Sequence, residues 1–98
     1  MGRASRQRPQ RLAEKLRQIR NAYGLSQDDI ASRLAVEGEL NRNYISGFER
    51  GTREPPLPVL LRYARLAGVY VDALIDDSVD LPDHLPASSK YKWALRHP

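Results

Sequence analysis

At 98 residues the chain is long enough for one domain with a single core, and too short for a separate effector module. It has no cysteine, which excludes disulfides and thiolate metal sites; no apolar run nears the ~20 residues of a membrane span and no signal-peptide pattern is present, so a cytoplasmic protein without membrane contact is expected. The net charge of +4 is uneven, with 11 Lys/Arg against 6 Asp/Glu in residues 1–53 and 5 against 6 in residues 54–98, a one-sided excess that suits a nucleic-acid binder and equally an ordinary solvated basic surface.

Residues 1–8, MGRASRQR, have no apolar periodicity and predict a basic arm carrying Arg3, Arg6 and Arg8. Pro9 suits the first turn of a helix, and Leu12, Leu16, Ile19 and Tyr23 then recur at helical spacing until Gly24 ends the run as a left-handed residue. Ser26 with Asp29 forms a capping-box pattern for a second helix through Ile30, Ala31 and Leu34, where Asp28 and Asp29 suit the positive end of the helix dipole. Its end is open, with Gly38 a candidate terminator. Asn41 caps a third helix, Arg42 to Arg50, with Ile45 and Phe48 inward and Gly51 closing it. The extended connection Arg53-Glu54-Pro55-Pro56 follows. A fourth helix is expected from about Pro58 to Ala67, stopping at Gly68, and a short fifth from Val71 to Asp76. Residues 77–98, with Pro82, Pro86 and Pro98, predict a tail of low order. No segment has strand periodicity, so the fold class is all-α.

The segments LAEKLRQIRNAYGLSQDDIASRL, NRNYISGFERGTREPP and LLRYARLAGVYVDAL, in this order between Leu12 and Leu74, make the chain resemble the Cro/repressor (Xre) helix-turn-helix family. The resemblance implies a compact five-helix lambda-repressor-like domain over residues 9–76 and binding to double-stranded DNA. It makes the third helix the recognition helix, entering the major groove with its first residues at base edges. Arg42 and Asn43 fall where the family reads bases, Arg being suited to guanine and Asn to adenine; Asn41 and Tyr44 are the neighbouring candidates. Gln27 and Ser26, at the start of the second helix, match the family's phosphate-contacting end. Arg50 and Arg53 match phosphate contacts beyond the recognition helix, and the arm arginines join them. Glu49 looks like the family's structural acid, with Arg20 as its partner.

Two departures stand out. Ala31 and Ile45 are fourteen residues apart where relatives have ten, so four extra residues fall within 35–40 and Ala35 replaces the usual turn glycine. The insertion either lengthens the second helix or loops out beside the DNA. Pro56 stands where relatives usually have a serine cap. Gly47, bare where relatives often have another reader, allows close approach of the DNA backbone or is simply a weak helix position.

The fourth helix has two apolar stripes. Leu57, Leu60, Leu61, Ala64 and Ala67 are expected to face the core, leaving Val59, Tyr63, Leu66 and Tyr70 for a second subunit or for the chain's own tail. A homodimer is expected, because two-fold symmetry is the rule for such readers. An enzyme is not expected: His84 and His97, the two histidines, have no metal partners at ligand spacing, and no phosphate loop or nucleophile motif is present. No metal and no cofactor are expected. The rival function is an antitoxin or adaptor that binds a protein partner through tail residues such as Lys90-Tyr91-Lys92-Trp93.

Overall fold

The structure is a computed structural model that describes residues 8–35 and 40–86. These form five helices and no strand: α1 (Leu12–Ala22), α2 (Gln27–Leu34), α3 (Arg42–Arg50), α4 (Leu57–Ala67) and α5 (Val71–Ile75). Leu16, Ile19, Ile30, Leu34, Ile45, Phe48, Ala64, Ala67 and Leu74 are buried together, so every helix contributes to one core. Ala31 is buried with them, its short side chain fitting the packing of α2 on α3.

Turn chemistry sets the boundaries. Gly24, Gly51 and Gly68 all take positive φ, and each follows a helix whose last carbonyls accept the returning N–H groups. Ser26 Oγ accepts from Asp29 N at 3.0 Å and Asp29 Oδ2 accepts from Ser26 N at 3.2 Å, a complete capping box. Asn41 Oδ1 accepts from the N–H groups of Asn43 and Tyr44 at 2.9 and 3.3 Å, so α3 begins at Arg42. Pro56 takes the N-cap position of α4, with φ −61° and no side-chain bond.

The start of α1 differs from the expectation. Pro9 is not in the first helical turn; the helix begins at Leu12, and the free N–H groups of Gln10 and Arg11 donate to the Asp77 carboxylate at 2.8 and 3.0 Å. The cap comes from far along the chain, beyond the reach of local pattern. Lys15 lies on the apolar stripe yet is buried, because its Nζ donates to the carbonyls of Ala73 and Asp76 at 2.9 and 2.8 Å and closes the C-terminal end of α5.

Two further expectations are corrected. α2 ends at Leu34 and Ala35 is extended, so the insertion does not lengthen that helix; residues 36–39, Gly38 among them, lie outside the described residues. The segment after α5 was expected to be of low order from residue 77, but Leu81 and Leu85 are buried in the core and Arg11 pairs with Asp80. Apolar burial holds residues 77–86 on the domain. The aromatic residues Tyr91 and Trp93 lie outside the described residues.

The rotation of α4 also differs. Val59, Leu60, Tyr63, Ala64, Leu66 and Ala67 form its buried face, whereas Leu57 and Leu61 are exposed. Val59, Tyr63 and Leu66 are therefore not a free subunit interface; only Tyr70 of that expected stripe is exposed. Tyr63 has no solvent access, and burial pushes its phenol pKa well above the usual value. The reason is geometric: six adjacent apolar positions on two neighbouring rows make one broad inward face, which the core fills completely.

Candidate nucleic-acid interface

α2 and α3 present their N-terminal ends side by side. Asp28 Oδ2 in the first turn of α2 lies 3.9 Å from Arg42 Nη1 at the start of α3, with both side chains exposed. Ser26 is exposed and Gln27 half-buried at the same edge. The two helix ends expected to meet phosphate and base edges thus share one surface. Asp28 serves as more than a dipole partner, since it also offsets the unfavourable placement of a cation at the N-terminus of α3.

Arg42 and Asn43 are exposed. Asn41 is exposed too, but its carbonyl oxygen is held by the cap of α3. Bidentate reading of adenine needs both the oxygen and the amide nitrogen, so Asn41 reads no adenine in that manner while it caps the helix. Tyr44 is half-buried and its ring is covered by Arg53, whose guanidinium carbon sits 4.4 Å from the ring centroid.

Beneath this surface lies a buried ion pair. Arg20 Nε and Nη2 donate to Glu49 Oε2 and Oε1 at 2.7 and 3.0 Å, a two-pronged bond in which Glu49 is 4% exposed. Arg20 Nη1 also donates to Leu25 O at 2.9 Å, Gln27 Nε2 to Glu49 Oε1 at 3.4 Å and Arg17 Nη1 to Glu49 O at 3.1 Å. The hydrogen bond to Glu49 raises the Arg20 pKa. One carboxylate thereby ties α1, the α1–α2 turn, α2 and α3 into a fixed arrangement. Gln27 is drawn into this network, a role its position in the sequence did not suggest; Arg17 is a second member that sequence reasoning missed.

The cations beyond α3 are gathered as well. Arg8, Arg50, Arg53 and Glu54 line one cleft of about 370 Å³ with Gly51 and Pro55. Arg8 lies 3.7 Å from Glu54, and Arg50 and Arg53 are exposed. Arg3 and Arg6 lie outside the described residues.

With two adjoining helix ends, a rigid carboxylate brace and a row of arginines in place, the comparisons with known proteins agree. Residues 11–77 match the helix-turn-helix domain family. The chain belongs to that family. It is 29% identical over 85 residues to the uncharacterized HTH-type transcriptional regulator YobD of Bacillus subtilis (strain 168), covering 87% of this chain and 71% of that protein. It is also 39% identical over 64 residues to the control protein C.BamHI of Bacillus amyloliquefaciens, covering 64% of this chain and 74% of that protein. The resemblance to the Cro/repressor type therefore holds over the segments that suggested it.

Proposed function

We propose that this helix-turn-helix protein is a small dimeric repressor that binds double-stranded DNA sequence-specifically. Its place as a DNA-binding regulator of transcription follows from its family and from the regulators it resembles. The single observation that carries the sequence-specific reading is the exposed start of α3, capped by Asn41 and presenting Arg42 and Asn43 beside the N-terminus of α2. Arg42 and Asn43 read bases. Ser26, Gln27, Arg50, Arg53 and the arm arginines Arg3, Arg6 and Arg8 contact phosphates. A protein with this role acts in the cytoplasm; among the described residues no helix is long and apolar enough to cross a membrane.

The second copy docks where apolar surface remains. Leu57 and Leu61 on α4, and Val71 and Ile75 on α5, are i,i+4 pairs; Leu57, Val71 and Ile75 line one groove of about 700 Å³. Leu57 is 79% exposed and adjoins the other apolar residues of this groove, surface that a second copy would cover. Two-fold docking there gives the paired readers that half-sites require. Leu57→Glu should yield folded monomer with weakened operator binding, read by sedimentation; an unchanged oligomeric state would remove this face from the assembly.

Selection of bound sites from random duplex DNA tests the function itself. An enriched two-fold motif is expected, with affinity falling linearly in log salt by about 0.9 per phosphate neutralised. Arg42→Ala or Asn43→Ala should relax preference at one base pair per half-site, by ~1–3 kcal/mol. If no motif is enriched, the sequence-specific reading fails.

A further inference from the structure

Gly47 sits in the middle of α3, is buried, and has ordinary helical φ, so nothing in its backbone requires glycine. What requires it is the chain that follows. After the left-handed Gly51, the exit turn folds back on α3, where Gly47 O accepts from Thr52 N, Arg53 N and Thr52 Oγ1 at 3.0, 3.2 and 3.3 Å. A Cβ on residue 47 would lie 3.1 Å from Arg53 Cβ and 3.5 Å from Thr52 Oγ1. The space left by the missing side chain is already filled by the stem of Arg53. It is not open to an approaching DNA backbone.

From that seat Arg53 reaches one turn back along the helix and lays its guanidinium over the Tyr44 ring. Tyr44 belongs to the first turn of α3, next to Asn43. A residue that follows the recognition helix thereby delivers its charge to the opposite, reading end of that helix. An arginine whose guanidinium rests over an aromatic ring gives up part of its rotamer freedom before any ligand arrives.

We propose that Gly47 is a positioning residue for DNA binding, and that Gly47 and Tyr44 together hold Arg53 in its phosphate-contacting pose in the free protein. Gly47 acts through Arg53 and Tyr44 is its platform, so neither needs to touch a base. The inference rests on the DNA-binding reading above, and adds to it the reason for an unfavourable residue at the centre of the recognition helix.

The test is a double-mutant cycle on the duplex selected for the wild-type protein, with thermal melts alongside. Gly47→Ala gains helix propensity but must displace Arg53 Cβ by a few tenths of an ångström, so its melt should stay close to wild type while DNA affinity falls roughly two- to tenfold, the cost of ordering one long side chain anew. Arg53→Ala should lose at least as much, and Gly47→Ala in the Arg53→Ala background should lose nothing further. The salt dependence should flatten by about one phosphate in Arg53→Ala and stay as wild type in Gly47→Ala, where the contact is still made once Arg53 is ordered. Tyr44→Leu should follow Gly47→Ala, and Tyr44→Phe, which keeps the ring, should recover most of that loss; this pair carries the test if alanine at 47 prevents folding. Equal losses from Gly47→Ala with and without Arg53, or wild-type binding by Gly47→Ala or Tyr44→Leu, would overturn the proposal. A wild-type protein that binds no duplex would overturn the DNA-binding reading itself, an outcome visible before any variant is made.

Discussion

α1 ends in two arginine–carboxylate clusters that look alike on paper and differ in what they do. At its C-terminal end Arg20 grips Glu49, with Arg20 18% and Glu49 4% exposed at the side chain. At its N-terminal end Arg11 pairs with Asp80 and Glu14 and donates to the backbone of Asp77 and Val79, while Asp80 is 79% exposed. Water already solvates the second cluster, so its charges gain little from one another. The first has given up most of its water, and each partner depends on the other. Charge count does not separate them; burial does.

The largest expected effect breaks the buried cluster. Glu49→Ala should destabilise the domain by about 3 kcal/mol, near the lower end for a buried pair because Arg20 keeps some water contact. Thermal denaturation reads the loss, and the base preference of the remaining folded protein should be unchanged. A melt equal to wild type would mean that the brace is ornamental.

Next comes the anchor of the exposed cluster, which is apolar. Leu81 is buried beneath the charged segment that includes Asp77 and Asp80. Leu81→Ala should cost about 2 kcal/mol in denaturant unfolding, the lower end for a leucine at the edge of the core, whereas Asp80→Ala should leave the melt within error. If the two variants changed places, ion pairing and not burial would hold residues 77–86.

The smallest effect is titration of the carboxylates outside the core. Asp29 is held below its usual pKa by Ser26, Asp76 by Ser78, Asp77 by the N–H groups of Gln10 and Arg11, and Asp80 by Arg11. A depressed folded pKa contributes stability that is complete above the unfolded value of about 3.9 and disappears as pH falls through the folded value. The melting temperature should thus be flat near neutrality and decline below about pH 4. Asp77→Asn should shorten that decline, as measured by melts across pH 2–6.

How legible this was in the sequence depended on range. Ser26, Asn41, Gly24, Gly51 and Gly68 act on neighbours within a few residues, and their patterns marked the turns where the chain has them. The Arg20–Glu49 pair spans 29 positions and was reached only through family resemblance. The Asp77 cap on α1, 66 and 67 positions away, has no local signature at all. Lys15 was legible in part, since it falls three residues after Leu12 and four before Ile19 on the buried stripe, but its partners are backbone carbonyls that no side-chain pattern announces. On α4 periodicity identified two apolar rows without saying which way the helix turns; Tyr63, taken for surface, is central to the core.

Lys15 also gives the protein a chemical clock. It is the sole lysine among the described residues and is 1% exposed. An amine-acylating reagent cannot reach Nζ until the carbonyls of Ala73 and Asp76 let go, which means parting α5 from α1. The acylation rate at that one nitrogen, followed by mass spectrometry, therefore counts how often this corner of the domain opens. Dimer docking across α5 would make the count slow as protein concentration rises through the dimer Kd.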